Sequence, residues 1–430
     1  MADSLYLGPG SPPLTMPRPV ALPTPVLETR PTRGLAESLS CHRGEFLARF
    51  GGRARGVRIY FSPGRVNMFG GHLDYNGGPV LPTAIDRGTF IALRVGERGA
   101  GAGRLRMDSV FGEEGFEGDL SRLPAAPSGK WFDYPLGVVR AVLAARPEAL
   151  DGGIELLFGG NLPVGAGLSS SASITVGTAF ALDRAFELGL DPLERVAAAL
   201  DAERGFVGVQ CGIMDPYAVG FAAERCVLWL DCKDESFEHL PLDFQKLSIG
   251  VVDSGVKRAL ARGEFNRRVA ECRAAFESLR PHAQGATVMR DVPQEVVEAH
   301  AHELEADVAK RARHVVGEVT RTFRAREAFL AEDFETLGAL MTETHRSFQS
   351  LYECSCEELD VLVEAAIAQE GVYGSRLTGA GFGGCIVMLV AAGAEEAASR
   401  GVADAFQQRY GVRPATAFFQ GDAGPRELLP

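Results

Sequence analysis

Apolar residues change period several times along this chain, and the changes mark out its elements. From Ala36, "AESLSCHRGEFLARFG" spaces apolar positions at helical intervals and predicts a short amphipathic helix. "RGVRIYFSPGRV" predicts a strand entering a turn, and "PVLPTAIDRGTFIALRVGE" carries two apolar, β-rich runs. "GAGAGRLRMDS" predicts a hairpin tip and return strand, and "KWFDYPLGVVRAVLAARPEAL" a helix. In "GGIELLFGGNLPVGAGLSSSASITVGTAFALDRAFELGL" a strand, a Gly/Ser loop and a helix of small and apolar residues follow one another. "DPLERVAAALDAERGFVG" predicts another helix, with Asp191 as N-cap and Pro192 at the first helical position. "RCVLWLDCKD" and "KLSIGVVDSGV" predict strands, and residues 264–345 are mostly helical by period and charge pairing. "GSRLTGAGFGGCIVMLV" predicts a second glycine loop followed by a strand, "EEAASRGVADAFQQRYG" a late helix and "RPATAFFQ" a last strand. The mixture is α+β, with no internal repeat and no coiled-coil heptads.

Length turns this series into a domain expectation. At 430 residues the chain exceeds one ordinary core, so two domains are expected. Residues 1–35 hold prolines too often for helix or interior strand and predict a disordered tail, Met16 being an alternative initiator. A hydrophobic content of 46% and a charged content of 23% are globular values. A formal net charge of -12 argues against nucleic-acid and anionic-membrane partners. No apolar run is long enough to span a bilayer, and no basic start leads into an apolar core, so no signal peptide is expected. The eight cysteines are scattered, and Cys354 and Cys356 are too closely spaced for the usual zinc pair. They predict free thiols in a reducing cytoplasm. His300 and His302 are excluded as a metal pair, because i,i+2 residues do not share a helix face.

Four segments carry candidate chemistry. In "PVGAGLSSSA", Gly165 and Gly167 allow close backbone approach, and Ser169, Ser170 and Ser171 open a helix. Exposed N–H groups at a helix N-terminus, with hydroxyls, suit a triphosphate. A plain glycine turn with a Ser cap is the alternative, and no Lys follows as in the usual phosphate loop. "TGAGFGGC" contains a literal GxGxxG, but a strand-like run follows it where a dinucleotide fold needs a helix. In "AERGFVGVQCGIMDPYAVG", Glu203 sits on a helix end and Asp215 on a Gly-flanked loop. One acid would hold Mg²⁺ and the other would take a proton from an attacking hydroxyl, unless both are merely solvated. "SPGRVNMFGGHLDYNGG", read as a Gly-rich turn without helical or strand period, sets Arg65, His72 and Asp74 among glycines. Arg65 could stabilise a transferring phosphoryl group, and His72 and Asp74 could read polyol hydroxyls. Asp74 could equally cap local N–H groups.

Together these four segments resemble the galactokinase branch of the GHMP small-molecule kinases. The last is similar to that family's "GRVNLIGEHTDYNGG" signature, "PVGAGLSSSA" matches its ATP motif, and "CGIMD" and "GAGFGG" match later motifs. Weaker similarity runs through "SGVKRALARGEFNRRVAEC", "KRARHVVGE" and "THRSFQSLYECSCEELD". The resemblance implies a two-domain α+β fold, an N-terminal mixed α/β domain over 36–225 and a C-terminal ferredoxin-like domain over 226–430, with the site in the cleft. It implies ATP and Mg²⁺, a small sugar as substrate, and in-line phosphoryl transfer to the anomeric C1 hydroxyl, galactose to galactose 1-phosphate. It implies Asp215 as catalytic base and Arg65 as the cation that keeps it ionised. Gly165, Ala166, Gly167, Leu168, Ser169, Ser170 and Ser171 would surround the phosphates, with Ser171 and Glu203 on Mg²⁺. Gly71, His72, Leu73, Asp74, Gly212 and Phe265 would line the sugar, and Trp131 would wall the adenine pocket unless it is core. Oligomeric state is left open, a monomer being compatible with the sequence.

Three positions depart from the family pattern. Gly71 stands where the family has Glu, Phe265 where it has Tyr, and Pro216 where it has Gln. The first two remove groups that could bond a sugar hydroxyl, a loss that water could partly repair. A sugar altered near C6, such as galacturonate or arabinose, is therefore an alternative substrate. A non-catalytic sensor of ATP and sugar is another, against which intact Asp215 and Arg65 argue.

Overall fold

The computed structural model describes residues 28–29, 33–96, 103–162, 167–256 and 261–429. The tail expected over 1–35 lies largely outside these residues. Its described part holds β1 (Glu28–Thr29), and α1 (Arg33–Phe50) begins before Ala36. Two long strands follow, β2 (Arg58–Phe69) and β3 (Pro79–Val95), paired antiparallel along most of their length.

This corrects the expected turn. "SPGRVNMF" is strand, and only residues 70–78 turn. The period was hidden because β2 is buried on both faces from Ile59 to Phe69. Tyr60 packs with Ile91 and Phe180, while Ile59 and Phe61 pack with Phe46 and Phe90. Pro63 is tolerated because the ladder shifts register between Pro63 and Gly64. Burying each large apolar side chain contributes roughly 1.5–3 kcal/mol, against ~1 kcal/mol for the whole range of strand propensity. Burial, not pattern, decides this strand.

The chain continues through β4 (Arg104–Ser109), β5 (Phe116–Asp119), α2 (Asp133–Ala145), β6 (Ile154–Gly160), α3 (Ser170–Phe186) and α4 (Pro192–Leu200). β4 pairs parallel with β6 and antiparallel with β5 and has no ladder with β3, so the expected hairpin is not the pairing found. Its tip falls partly outside the described residues. Asp191 caps α4 as expected, in a reciprocal capping box with Glu194. α4 then widens into a π-helical turn, Asp201–Val207, before α5 (Met214–Gly220), β7 (Cys226–Asp231) and β8 (Phe237–Pro241).

β9 (Leu247–Asp253) opens the second unit. Its helices are α6 (Ala261–Leu279), α7 (Gln294–His300), α8 (Ala306–Leu330), α9 (Phe334–Ser347) and α10 (Glu357–Ile367). Then come β10 (Val372–Leu377), β11 (Cys385–Ala391), α11 (Glu395–Tyr410), β12 (Ala415–Phe419) and β13 (Arg426–Leu428).

Two sheets result. The larger runs β1-β13-β2-β3-β6-β4-β5, and β7 joins it on β3 with β8 beyond. The smaller is antiparallel in the order β10-β11-β9-β12, with helices between β9 and β10 and α11 between β11 and β12. That is the expected ferredoxin-like arrangement. Val66, Met68 and Phe69 at the far end of β2 pack with Ile249 and Val251 of β9 and Val387 of β11. One strand therefore serves both units, and Arg65 sits where they meet. No described helix is long and apolar enough to cross a membrane.

Candidate active site

Arg65 projects from β2 with its side chain 4% exposed. Its Nε and Nη2 both donate to Asp215 Oδ1, at 2.7 and 2.6 Å, and its Nη1 donates to the Gly167 carbonyl at 2.7 Å. Asp215 lies in the first turn of α5, where Pro216 costs no helical hydrogen bond because first-turn N–H groups have no intrahelical acceptor. Ser169 completes the cluster, donating its hydroxyl to Asp215 Oδ2 at 2.5 Å. Ser169 is the N-cap of α3 but sits in the left-handed region, φ 56°, and makes no side-chain cap. The strain turns its hydroxyl to Asp215 instead.

The two glycine loops meet here. A Cβ on Gly167, φ 75°, would stand 2.7 Å from the Thr378 carbonyl, and one on Gly379, φ 81°, would stand 2.7 Å from the Gly167 Cα. Only bare backbone allows this approach. Leu168 is buried, and its carbonyl accepts from the Arg65 N–H at 3.1 Å, so it anchors the loop. Gly165 and Ala166 lie outside the described residues. Ser170 and Ser171 open α3 beside a cavity of about 560 Å³, whose walls include Trp131, Tyr134, Phe158 and Ile174. Trp131 is half-buried, edge-on to Phe158, and donates Nε1–H to the Glu114 carbonyl at 2.9 Å.

Three acids converge. Glu203, on the π-helical turn, is buried beside the hydroxyls of Ser171 and Thr175. Burial, helped by the Asp215 charge, pushes its pKa up to about 7. Asp74 is half-buried, and desolvation with the same neighbour raises it to about 6. Gly212 is bare because a Cβ there would overlap the Asp74 carboxylate. Arg204 favours the ionised form of both acids and is fixed by donating to the Cys211 carbonyl at 2.8 Å.

The turn after β2 departs from expectation. Leu73 is fully buried in the core. His72 is 6% exposed, at φ 61°, and stacks on Tyr352. Its Nε2–H donates to the Ala380 carbonyl at 3.2 Å, and its Nδ1 accepts from the Tyr75 hydroxyl at 2.7 Å. That tautomer follows from a carbonyl being acceptor only. Burial holds the ring neutral, its pKa pushed down to about 3. His72 thus fixes the turn, with both nitrogens engaged inside the protein, where a reader of sugar hydroxyls was expected. Phe265, at the start of α6, is half-buried against His72 and Tyr75.

Protein atoms fill the space beside Gly71. A Cβ there would overlap the Phe348 ring and come within 2.9 Å of Arg376 Nη1. Arg376 is 1% exposed, lies over that ring and donates to the Asn67 carbonyl at 2.5 Å. Glu318 on α8 accepts from the Gly70 and Gly71 N–H groups at 3.1 and 3.2 Å, and His314 donates to the Gly71 carbonyl at 3.3 Å. Sequence reading missed Arg204, His314, Glu318, Phe348 and Arg376. His314 and Glu318 stand i,i+4 in "KRARHVVGE", a spacing that puts two polar groups on one helix face and was the available signal.

Comparison with known proteins meets this geometry from outside. Residues 44–95 match the model of the galactokinase galactose-binding signature, 133–223 the GHMP kinases N-terminal domain and 325–411 the GHMP kinases C-terminal model. The chain is 36% identical over 389 residues to galactokinase of Bacillus subtilis, covering 90% of this chain and 98% of that one. It is 39% identical over 361 residues to that of Roseiflexus sp., covering 84% and 90%. The crystal structure of Lactococcus lactis galactokinase complexed with galactose superposes with a TM-score of 0.85 at 32% identity, covering 91% of this chain and all of that one. An arginine-clamped aspartate between two abutting glycine loops, in a chain matched almost end to end, leads to one assignment: this protein belongs to the galactokinase family of the GHMP kinases.

Proposed function

We propose that this chain transfers the γ-phosphoryl group of ATP to the C1 hydroxyl of galactose, giving galactose 1-phosphate and ADP. The observation that carries the reading is the Asp215 carboxylate, held by Arg65 and Ser169 between the α3 N-terminus and Asp74. The sugar O1 attacks the γ-phosphorus as the bond to the β,γ-bridging oxygen breaks. The O1 proton passes to Asp215, where the Oδ2 lone pair not used by Ser169 is available. Arg65 keeps Asp215 anionic at some loss of basicity and offers positive charge to the transferring group. In a loose phosphoryl-transfer transition state, positioning and electrostatics carry most of the rate.

The α3 N-terminus, with Gly167, Ser170 and Ser171, supports the triphosphate, and the cavity walled by Trp131 supports adenine. Glu203 and Ser171 fit a divalent cation such as Mg²⁺. They join a buried carboxylate to a hydroxyl, and Glu203 has no ion-pair partner among the described residues. Bound there, Mg²⁺ would neutralise charge on the phosphates. Asp74 and the Gly212 backbone read the sugar, against a wall formed by Phe265 and the Gly71–His72 turn. All eight cysteines are free, which favours a reducing compartment such as the cytoplasm.

A coupled assay for ADP with galactose, galacturonate, arabinose and N-acetylgalactosamine, with phosphorus NMR of the product, tests the reading. Sugar-dependent ADP and an anomeric phosphate are expected. ADP release with none of the four sugars would return the chain to a sensor role.

A further inference from the structure

Far from the cleft, the C-terminal unit gathers a second set of metal-binding chemistry. α6 ends in a 3₁₀ turn, Arg280–His282, and α7 ends at His300, followed by a 3₁₀ turn, Ala301–Glu303. The fold brings these two helix ends together. The His282 and His300 rings stack with centroids 3.6 Å apart and planes 22° apart. His300 Nδ1 lies 2.7 Å from Glu303 Oε1, and His282 Nε2 lies 3.6 Å from Oε2 of the same carboxylate. One ligand atom from each of the three residues lies within 4.8 Å of the others.

We propose that His282, His300 and Glu303 form a divalent transition-metal site of the zinc class, separate from the Mg²⁺ position at Glu203. Two imidazole nitrogens and a carboxylate oxygen, with a water as fourth ligand, make a tetrahedral set. Bonds of ~2.0–2.2 Å put neighbouring ligand atoms roughly 3.3 Å apart, so the His300–Glu303 pair opens slightly from 2.7 Å while the widest pair closes from no more than 4.8 Å. His282 and Glu303 are exposed, so side-chain rotation alone supplies it. Imidazole donors favour Zn²⁺, Co²⁺ or Ni²⁺ over Mg²⁺, which prefers oxygen. His302 lies outside the set, as its failed pairing with His300 in the sequence requires. The third ligand arrives from another segment, which no spacing rule reveals.

The site would act as a clasp. The segment it closes carries Val288, which packs against Gly77, and Arg290, which donates to the Gly77 carbonyl at 3.3 Å. Gly77 ends the short 3₁₀ turn Asp74–Asn76. Metal binding therefore braces the support of the sugar-facing turn without touching the reacting groups.

Full-length protein stripped with chelator and titrated with Co²⁺ should show the visible bands of tetrahedral cobalt, and equilibrium dialysis with Zn²⁺ should give one bound equivalent. His282→Ala and Glu303→Gln should each weaken binding at least tenfold and abolish the Zn²⁺-dependent rise in melting temperature. Turnover at saturating sugar and ATP should stay unchanged, which also reports that the variants fold. No stoichiometric binding by the wild type, or undiminished binding by His282→Ala/His300→Ala, overturns the proposal. Neither result bears on the kinase reading, which is tested by ADP formation alone.

Discussion

Arg65 places two guanidinium nitrogens on the same oxygen of Asp215, Oδ1, and leaves Oδ2 to the Ser169 hydroxyl. A carboxylate held this way has one oxygen committed to staying ionised and another that faces a hydroxyl group. Asp215→Asn should lower kcat by at least 10³-fold, because an amide cannot take the proton, while the KM for sugar moves less than tenfold. Steady-state kinetics with calorimetric sugar titration checks it. Retention of more than a tenth of wild-type kcat would remove Asp215 as base.

Glu203 links chemistry to pH. Its folded pKa, about 7, exceeds its ordinary 4.5, so the folded state holds the proton more tightly than the unfolded one. Stability from this group is complete below pH 4.5 and is lost as pH rises through 7. Asp74, raised from 3.8 to about 6, acts in the same direction. Denaturant unfolding of the metal-free protein should therefore show stability falling across this range. Glu203→Gln should flatten the fall by on the order of 2 kcal/mol and abolish Mg²⁺-dependent turnover. An unchanged slope in the variant would contradict the burial argument.

The bare position before His72 is a packing requirement. Gly71→Ala should destabilise by about 1–3 kcal/mol, since the added methyl overlaps the Phe348 ring. In a Phe348→Leu background the same change should cost less than about half as much, because the overlapping ring atoms are gone. A double-mutant cycle by urea unfolding measures the coupling, and simple additivity would refute the contact.

Sugar discrimination should be shallow at the end of the pocket bounded by His72 and Phe265. His72 and Tyr75 have their polar atoms engaged internally, and Phe265 and Phe348 offer none. A site that makes no bond to a hydroxyl rejects the analogue lacking it only weakly. Arabinose, as the pentose matching galactose without its C6 carbon, should reach within about tenfold of the galactose kcat/KM. A ratio beyond a thousandfold would mean an unseen polar contact there.

The convergence of Arg65, Ser171, Glu203 and Asp215 on one cleft was legible because it follows motif order whatever the details of packing. The sequence hid β2, since a strand buried on both faces has no alternation to read. It hid the role of His72 for a related reason: its partners Tyr352 and Ala380 come from the other unit, and side-chain saturation is a tertiary fact. The metal-ligand set was passed over because its spacing crosses two segments. Capping of α4 by Asp191, wholly local, was read correctly.

The contact between Gly71 and Phe348 also limits how this turn can be redesigned. A side chain at position 71 and the Phe348 ring where it now lies exclude each other, because the first added carbon already overlaps the ring. The two positions therefore form one design unit: a side chain is introduced at 71 without loss of packing only when 348 is changed with it.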